Sequence, residues 1–307
     1  MLYEPGGPEA LLLETVPGPG QVVVQVAHCG VCFHDVVVRN GTLKAGIRMP
    51  LIPGHEIAGI IAACGAGVSA FRVGERVATI QRAHVCGRCR YCRTGREPLC
   101  AESVFLGDME LNGGYAEYVV LDADSVVRVP DGVAMRDAAI TACAIGTAFH
   151  AIIGIGQVRP SDTVLITGAS GEVGIHAVQI ARAKDFSAEV RELTGGAGVE
   201  VAIDNVGTLV FQAVRRSLAR GGRWTLVGQL TGDFVSFNPA QLFLKGISML
   251  SSTSVTREEL RRCLHLLAQG TIRAVVEGSV PLAEAAQAHR RLESGAVSGR
   301  LTLVPGP

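Results

Sequence analysis

The sequence predicts an α/β protein of two domains, a β-rich lobe followed by a doubly wound lobe around a parallel sheet. At 307 residues it exceeds the usual size of one hydrophobic core. Up to Asp137 apolar β-branched stretches alternate with Gly and Pro punctuation, and beyond it strand and helix patterns alternate. The 38 glycines and 5% aromatics suit a chain rich in tight turns.

In chain order, residues 21–26 and 57–62 read as strands of the first lobe. An apolar helical stretch over 138–153 leads to a strand at 163–167, a glycine turn and a helix over 174–183, which make a βα unit. Further strands are expected at 199–204, 223–227 and 247–250, with a helix over 209–219 between the first two. Such alternation requires a parallel sheet, and Trp224 inside a strand reads as core. Residues 257–269 have helical spacing, and the tail from Thr271 returns to strand and helix pieces.

Bulk properties narrow the partners. The formal net charge is zero, with acidic and basic residues interleaved, so no footprint for nucleic acid or an anionic membrane stands out and small molecules are favoured. No apolar run approaches the roughly 20 residues a membrane helix needs. Residues 1–8 lack the basic and apolar regions of an export signal, and the expected location is the cytoplasm. Four of the nine cysteines sit at metal spacing, which favours reduced thiols and metal over a disulfide framework.

Gly168-Ala-Ser-Gly171-Glu172-Val173-Gly174 follows an apolar strand and opens an apolar helix. Glycines there allow a tight turn and close approach of backbone to a pyrophosphate, whose charge faces the helix dipole. The competing reading is an ordinary glycine-rich strand-to-helix turn. A Rossmann half should continue with a second strand ending in a residue that reads the adenosine ribose. Here Ala183-Lys184 runs straight into Asp185-Phe-Ser-Ala-Glu-Val190. That strand lies inside the sheet, so its loss would leave unpaired backbone in the core. A segment is therefore expected to be missing between Lys184 and Asp185, and the choice between NAD and NADP goes with it.

Cys86-x2-Cys89-x2-Cys92-x7-Cys100 places four thiols where they can converge on one ion, as in a closed structural zinc site. Arg82, Arg88, Arg90, Arg93 and Arg96 surround them and would favour thiolates. An iron–sulfur cluster or two disulfides are the alternatives. A second set is scattered: Cys32, His55 and Cys143. Taken singly such residues are more often buried core. Together they would make a Cys2His zinc site with an open fourth position.

The order of Gly30-Val-Cys32-x-x-Asp35, Pro53-Gly-His55-Glu56, the four-cysteine loop, Cys143 and the glycine turn resembles the zinc-containing alcohol dehydrogenases of the medium-chain dehydrogenase/reductase superfamily, over nearly the whole chain. The resemblance implies a GroES-like catalytic domain over 1–144 and 255–307, a Rossmann domain over 145–254, and a cleft between them. It implies two zinc ions per chain, NAD or NADP, a small alcohol or carbonyl substrate, and a homo-oligomer, dimer or tetramer. Cys32, His55 and Cys143 then resemble ligands of catalytic zinc, with Glu56 an alternate ligand and Asp35 orienting the histidine. Thr147 matches a residue near the nicotinamide, Gly228 and Ser252 border it, and Arg300 stands as a contact to the pyrophosphate.

The chain also departs from that pattern. His34 occupies the position where Ser or Thr begins a proton relay, and as an imidazole it is a relay candidate. Phe33 stands where a polar or basic residue often meets the pyrophosphate, and Val36 and Val37 replace a further histidine. The runner-up reading is an NADPH-dependent acryloyl-CoA or enoyl-thioester reductase of the same superfamily, which Cys-Phe-His-Asp and Val164-Leu-Ile-Thr-Gly-Ala-Ser-Gly also resemble. A zinc-free quinone reductase would have no use for the cysteine loop. A non-catalytic cofactor-binding protein is the reading from another class. Cys29, Cys64 and Cys263 read as buried or free thiols, and His150, His176, His265 and His289 as packed or solvated helix residues. His28 and His84 carry no assignment.

Overall fold

The computed structural model describes residues 22–43, 46–109, 111–169, 171, 173–176, 194, 197–231 and 233–306. The expectations that fall on Gln21, on Glu172, on the helix beyond His176 and on the junction of Lys184 with Asp185 lie outside the described residues.

The described chain forms two compact units. The first draws on the chain up to Gly146, on Ser254–Gly270 and on the tail from Ala274. Its main sheet contains β1 (Val22–Val31), β2 (Ile57–Cys64), β3 (Arg76–Thr79), β6 (Tyr118–Leu121), β7 (Val126–Arg128), β12 (Val276–Pro281) and β13 (Arg300–Val304). The order is β12-β13-β1-β2-β3-β7, with β6 also on β1, and a small ribbon pairs β4 (Arg82–Ala83) with β5 (Val104–Phe105). All pairs are antiparallel except β12 with β13.

β1 runs past the stretch its composition predicts. Its valines pair with β6, from Val22 opposite Leu121, and its second half pairs with β13, from Cys29 opposite Leu303. Ala27-His28-Cys29-Gly30 has weak strand propensity, and a partner strand brought back from the far end of the chain supplies the ladder. Val22, Val24 and Val26 alternate into a core with Ile57, Ile61, Leu301 and Leu303. The helical stretch predicted over 138–153 is interrupted. α2 (Met135–Ala139) leads into a wide π turn at Thr141–Ile145, a helix at Gly146–Phe149 and a second π turn at His150–Ile155.

The second unit, Thr147–Thr253 with Thr271–Arg273, holds four parallel strands. β8 (Val164–Ile166), β9 (Val199–Asp204), β10 (Leu218–Leu226) and β11 (Ser248–Ser251) lie in the order β11-β10-β9-β8. Trp224 is wholly buried with Ala202, Phe211, Val214 and Leu218. The helix predicted over 209–219 ends at Ser217, because Leu218 already pairs with Val199 and the register then shifts to Arg223 opposite Val201. Among the described residues no helix is long and apolar enough to cross a membrane.

Candidate functional site

Within the first unit three segments meet at one buried point. Cys32 follows β1 and is the N-cap of α1 (Phe33–Arg39), where its sulfur accepts from the His34 amide and Asp35 Oδ2 accepts from the Cys32 amide in return. His55 and Glu56 immediately precede β2, after Gly54 at φ 101°. A Cβ on Gly54 would stand 2.5 Å from Tyr115 Cδ1, so neither the conformation nor the space admits a side chain there. Cys143 sits in the Thr141–Ile145 π turn, a distortion that recurs at functional sites. Ligand-type atoms of Cys32, His55, Glu56 and Cys143 all lie within 4.8 Å of one another, and all four residues are buried.

The partners of this set are ordered. Asp35 Oδ1 accepts from His55 Nδ1 at 3.2 Å, which turns Nε2 toward the two sulfurs and Glu56. His55 Nε2 and Glu56 Oε2 are buried without a hydrogen-bond partner, a costly arrangement in a site with nothing to bind. Burial pushes the Asp35 carboxyl up, but the facing His55 carries it below its ordinary value. His55 is raised well above the usual histidine range, Asp35 and Cys32 outweighing its burial. The Cys143 thiol beside it holds Cys32 well below the ordinary thiol range, while Cys143 itself is pushed up. Burial raises Glu56 to about 7 against the pull of Arg300. Two sulfurs, an imidazole nitrogen and a carboxylate form a donor set of the kind zinc takes.

Arg300 belongs to this cluster. Its side chain is fully buried, Nη2 donating to Glu56 Oε1 and Nη1 to the Val31 carbonyl at 3.4 Å. Arg300, for which the resemblance implies a pyrophosphate contact, is paired with Glu56 here. His34 Nε2 donates to Asp108 Oδ2 at 2.8 Å, and its ring lies edge-on to His55 at 5.3 Å and against Phe105 at 4.7 Å. Asp108 is buried, and no spacing in the sequence marks it. Arg82 leaves the cysteine loop and stacks over Phe105 at 5.5 Å. Phe33 is 37% exposed beside Cys32.

Sulfurs of Cys86, Cys89, Cys92 and Cys100 also lie within 4.8 Å of one another, and none forms a disulfide, which removes the two-disulfide alternative. The Cys86 amide donates to Cys100 Sγ at 3.5 Å, Cys89 to Cys86 Sγ at 3.4 Å and Cys92 to Cys89 Sγ at 3.5 Å. Amides aimed at sulfur stabilise thiolates, and four thiolates together need a cation. Of the neighbouring arginines, Arg88 pairs with Glu102 and also faces Cys86, while Arg90 and Arg96 stack on Tyr91. Glu97 fastens the loop, accepting from the Arg257 amide at 2.8 Å and Arg257 Nε at 3.2 Å.

In the second unit the glycine turn follows β8. Gly171 N–H donates to the Gly168 carbonyl at 2.9 Å, and residues 173–176 are helical. A Cβ on Gly174 would come within 2.1 Å of the Gly168 carbonyl oxygen, so the turn closes only around glycine. Gly228 and Ser252 follow the carboxyl ends of β10 and β11, the edge at which parallel sheets bind ligands. Ser252 Oγ and Asn205 Oδ1 are buried there without partners, which fits a polar ligand along this edge. Asp204, which spacing does not reveal, holds it together: Oδ1 accepts from Thr167 Oγ1 and the Val206 and Gly207 amides, and Oδ2 from Trp224 Nε1. Thr147 is half-buried on the helix Gly146–Phe149.

A β-rich unit with two metal-type donor sets and a parallel-sheet unit opened by a glycine turn define a nicotinamide-linked oxidoreductase. Residues 18–131 match the alcohol dehydrogenase GroES-like domain, and residues 173–303 match the zinc-binding dehydrogenase domain. The chain belongs to the zinc-containing alcohol dehydrogenase family of the medium-chain dehydrogenase/reductase superfamily. An alcohol dehydrogenase of Geobacillus stearothermophilus is 32% identical, the alignment covering 96% of each chain over 332 positions. An acryloyl-coenzyme A reductase of Metallosphaera sedula is 30% identical, covering 94% of this chain and 93% of its own. The crystal structure of AibC superimposes with a TM-score of 0.91 at 39% identity, covering all of this chain and 95% of the other.

Proposed function

We propose that the chain is a zinc-dependent, NAD(P)-linked dehydrogenase acting on an alcohol and its aldehyde or ketone. The observation that carries this is the buried convergence of Cys32, His55, Glu56 and Cys143 with His55 Nε2 left without a partner. In this reading Cys32, His55 and Cys143 hold catalytic zinc, Glu56 is an alternate ligand, and Cys86, Cys89, Cys92 and Cys100 hold a structural zinc. Held by these residues, zinc would supply a Lewis acid that lowers the pKa of an alcohol oxygen, and a nicotinamide would supply the hydride exchange.

The chain's own residues prepare that chemistry. Asp35 fixes the ring of His55, and Arg300 opposes the upward push that burial exerts on Glu56. His34, held by Asp108, is placed to take a proton toward the surface, being partly exposed on one side and in ring contact with His55 on the other. Gly168, Gly171, Glu172, Val173 and Gly174 are assigned to the pyrophosphate, and Thr147, Gly228 and Ser252 to the nicotinamide side. Residues 1–144 and 255–307 form the catalytic domain in this reading and 145–254 the dinucleotide-binding domain. The alignment spans 332 positions against a chain of 307 residues, and we assign the difference to a segment missing between Lys184 and Asp185, where the second Rossmann strand is expected. A natural gene product of 32.1 kDa would refute that segment. The exposed Leu230, Phe234, Phe243 and Leu244 support a homo-oligomer, which light scattering of the purified protein tests.

Initial rates with NAD+ and NADP+ over a panel of primary and secondary alcohols test the main reading. Turnover that disappears in Cys143→Ser is expected, and turnover unaffected by that substitution would refute catalytic zinc. A second reading, reduction of an acryloyl-CoA-like thioester by NADPH, is favoured by Phe33 beside Cys32 and by the Metallosphaera relative. Faster NADPH oxidation with acryloyl-CoA than with any aldehyde would select it.

A further inference from the structure

Behind Asp35 the first unit holds a chain of buried polar side chains drawn from three segments. Tyr115 Oη lies 3.4 Å from Asp35 Oδ2 and 2.9 Å from His289 Nε2, and His289 Nδ1 lies 3.0 Å from Arg39 Nη1. Arg39 Nη2 donates in turn to Glu293, which is 34% exposed. Arg39 and His289 are at most 1% exposed, and Tyr115 is 5% exposed. Asp35 and Arg39 stand one turn apart on α1, His289 and Glu293 one turn apart on the helix Ala285–Glu293, and the Tyr115 amide donates to Pro53 two residues before His55.

The direction of every proton in this chain is fixed by its first member. A guanidinium has only donors and does not deprotonate in proteins, so His289 Nδ1 must accept from Arg39. The neutral imidazole then carries its proton on Nε2 and donates it to Tyr115, leaving the phenol hydrogen for Asp35 Oδ2. Asp35 receives three donors, from Tyr115, the Cys32 amide and His55 Nδ1. A carboxylate so surrounded holds the His55 Nδ1 proton, which makes Nε2 the nitrogen offered to an ion among the sulfurs. Burial lowers the His289 pKa to about 4, in keeping with its neutral state.

We propose that Tyr115 and His289, polarised by Arg39, are positioning residues that fix the orientation and tautomer of His55 and so tune metal affinity at the Cys32–His55–Cys143 set. The proposal rests on reading that set as a metal site. Neither residue touches the ligands themselves. Outer partners of ligating histidines typically carry 10–100-fold in metal affinity.

The test compares the full-length wild type, Tyr115→Phe, His289→Leu and His289→Gln, each with folding checked by circular dichroism. Glutamine keeps an acceptor for Arg39 and a donor for Tyr115, so it should rescue. In Tyr115→Phe and His289→Leu, one of two bound zinc ions should pass to a chelator at least about tenfold faster, with the other unchanged, and the visible bands of the cobalt form should shift. Folded Tyr115→Phe with unchanged release and unchanged bands would overturn the proposal. Uptake of a single zinc by the wild type would instead overturn the reading of the site. In that event the His55 Nδ1–H resonance of metal-free protein decides: seen in wild type and His289→Gln and lost to solvent exchange in the other two, it supports the positioning role, and equal in all four it overturns it.

Discussion

Replacing Arg300 by Met removes the guanidinium that pairs with Glu56 while keeping the apolar volume of the stem. Both side chains are fully buried, and Arg300 also donates to the Val31 carbonyl, tying β13 to the end of β1. Breaking a buried pair by deleting one partner costs about 3–5 kcal/mol, because the remaining charge is stranded away from water. Glu56 already titrates near 7 with Arg300 present, so in metal-free protein the loss should be largest at pH 8, where the carboxylate is charged, and smaller at pH 6, where it is protonated. Urea unfolding separates the units, since all four tyrosines precede Gly146 and the single tryptophan, Trp224, lies in the second unit. The tyrosine transition should fall by about 1.5–2.5 M if m is about 2 kcal/mol/M, and the tryptophan transition should stay in place. Adding Glu56→Gln should recover most of the loss. A penalty below about 1 kcal/mol, or one equal at pH 6 and pH 8, would refute the argument. Arg88→Met, which removes an exposed pair with Glu102, should leave stability unchanged in the same assay.

Other expectations follow from the same geometry. His289 titrates near 4 in the folded state against about 6.5 unfolded, so its contribution is complete above 6.5 and lost as pH falls toward 4, about 3 kcal/mol in all; His289→Gln should flatten that acid limb in pH-dependent melts. Asp204→Ala leaves Trp224 Nε1, Thr167 and two amides without their acceptor, and the tryptophan-monitored transition should lose about 3 kcal/mol. Cys89→Ser and Cys143→Ser should each lower the zinc content from two to one per chain. The first should drop the melting temperature and the second should abolish turnover, and a protein that still binds two zinc ions after either change would contradict the assignment.

Much of the fold was readable in the linear pattern. β9 spans the predicted 199–204, and the helix Arg257–Ala268 ends within a residue of its predicted bound, since local periodicity and a Thr256–Glu259 capping box specify each of them. The cysteine loop is equally local, with ligand-type sulfurs brought together inside fifteen residues from Cys86 to Cys100. The Cys32, His55 and Cys143 set was legible only through resemblance, because no short-range spacing connects residues so far apart.

Tertiary structure alone decided the rest. Gly30 and Cys29 extend β1 because β13, more than 270 residues later, lies beside them. Asp108 and Asp204 have no sequence signature: folding alone brings His34 to the first, and the second becomes a hub only when folding surrounds it with donors and removes water. Folding set Arg300 against Glu56, and His289, which reads as an ordinary packed helix residue, became a link in a directed hydrogen-bond chain. The sequence by itself determined the elements, the glycine turn and the thiol-rich loop, whose physical causes lie within a few residues. Which buried charges face each other depended on long-range strand pairing and helix docking, and only the folded chain determines those.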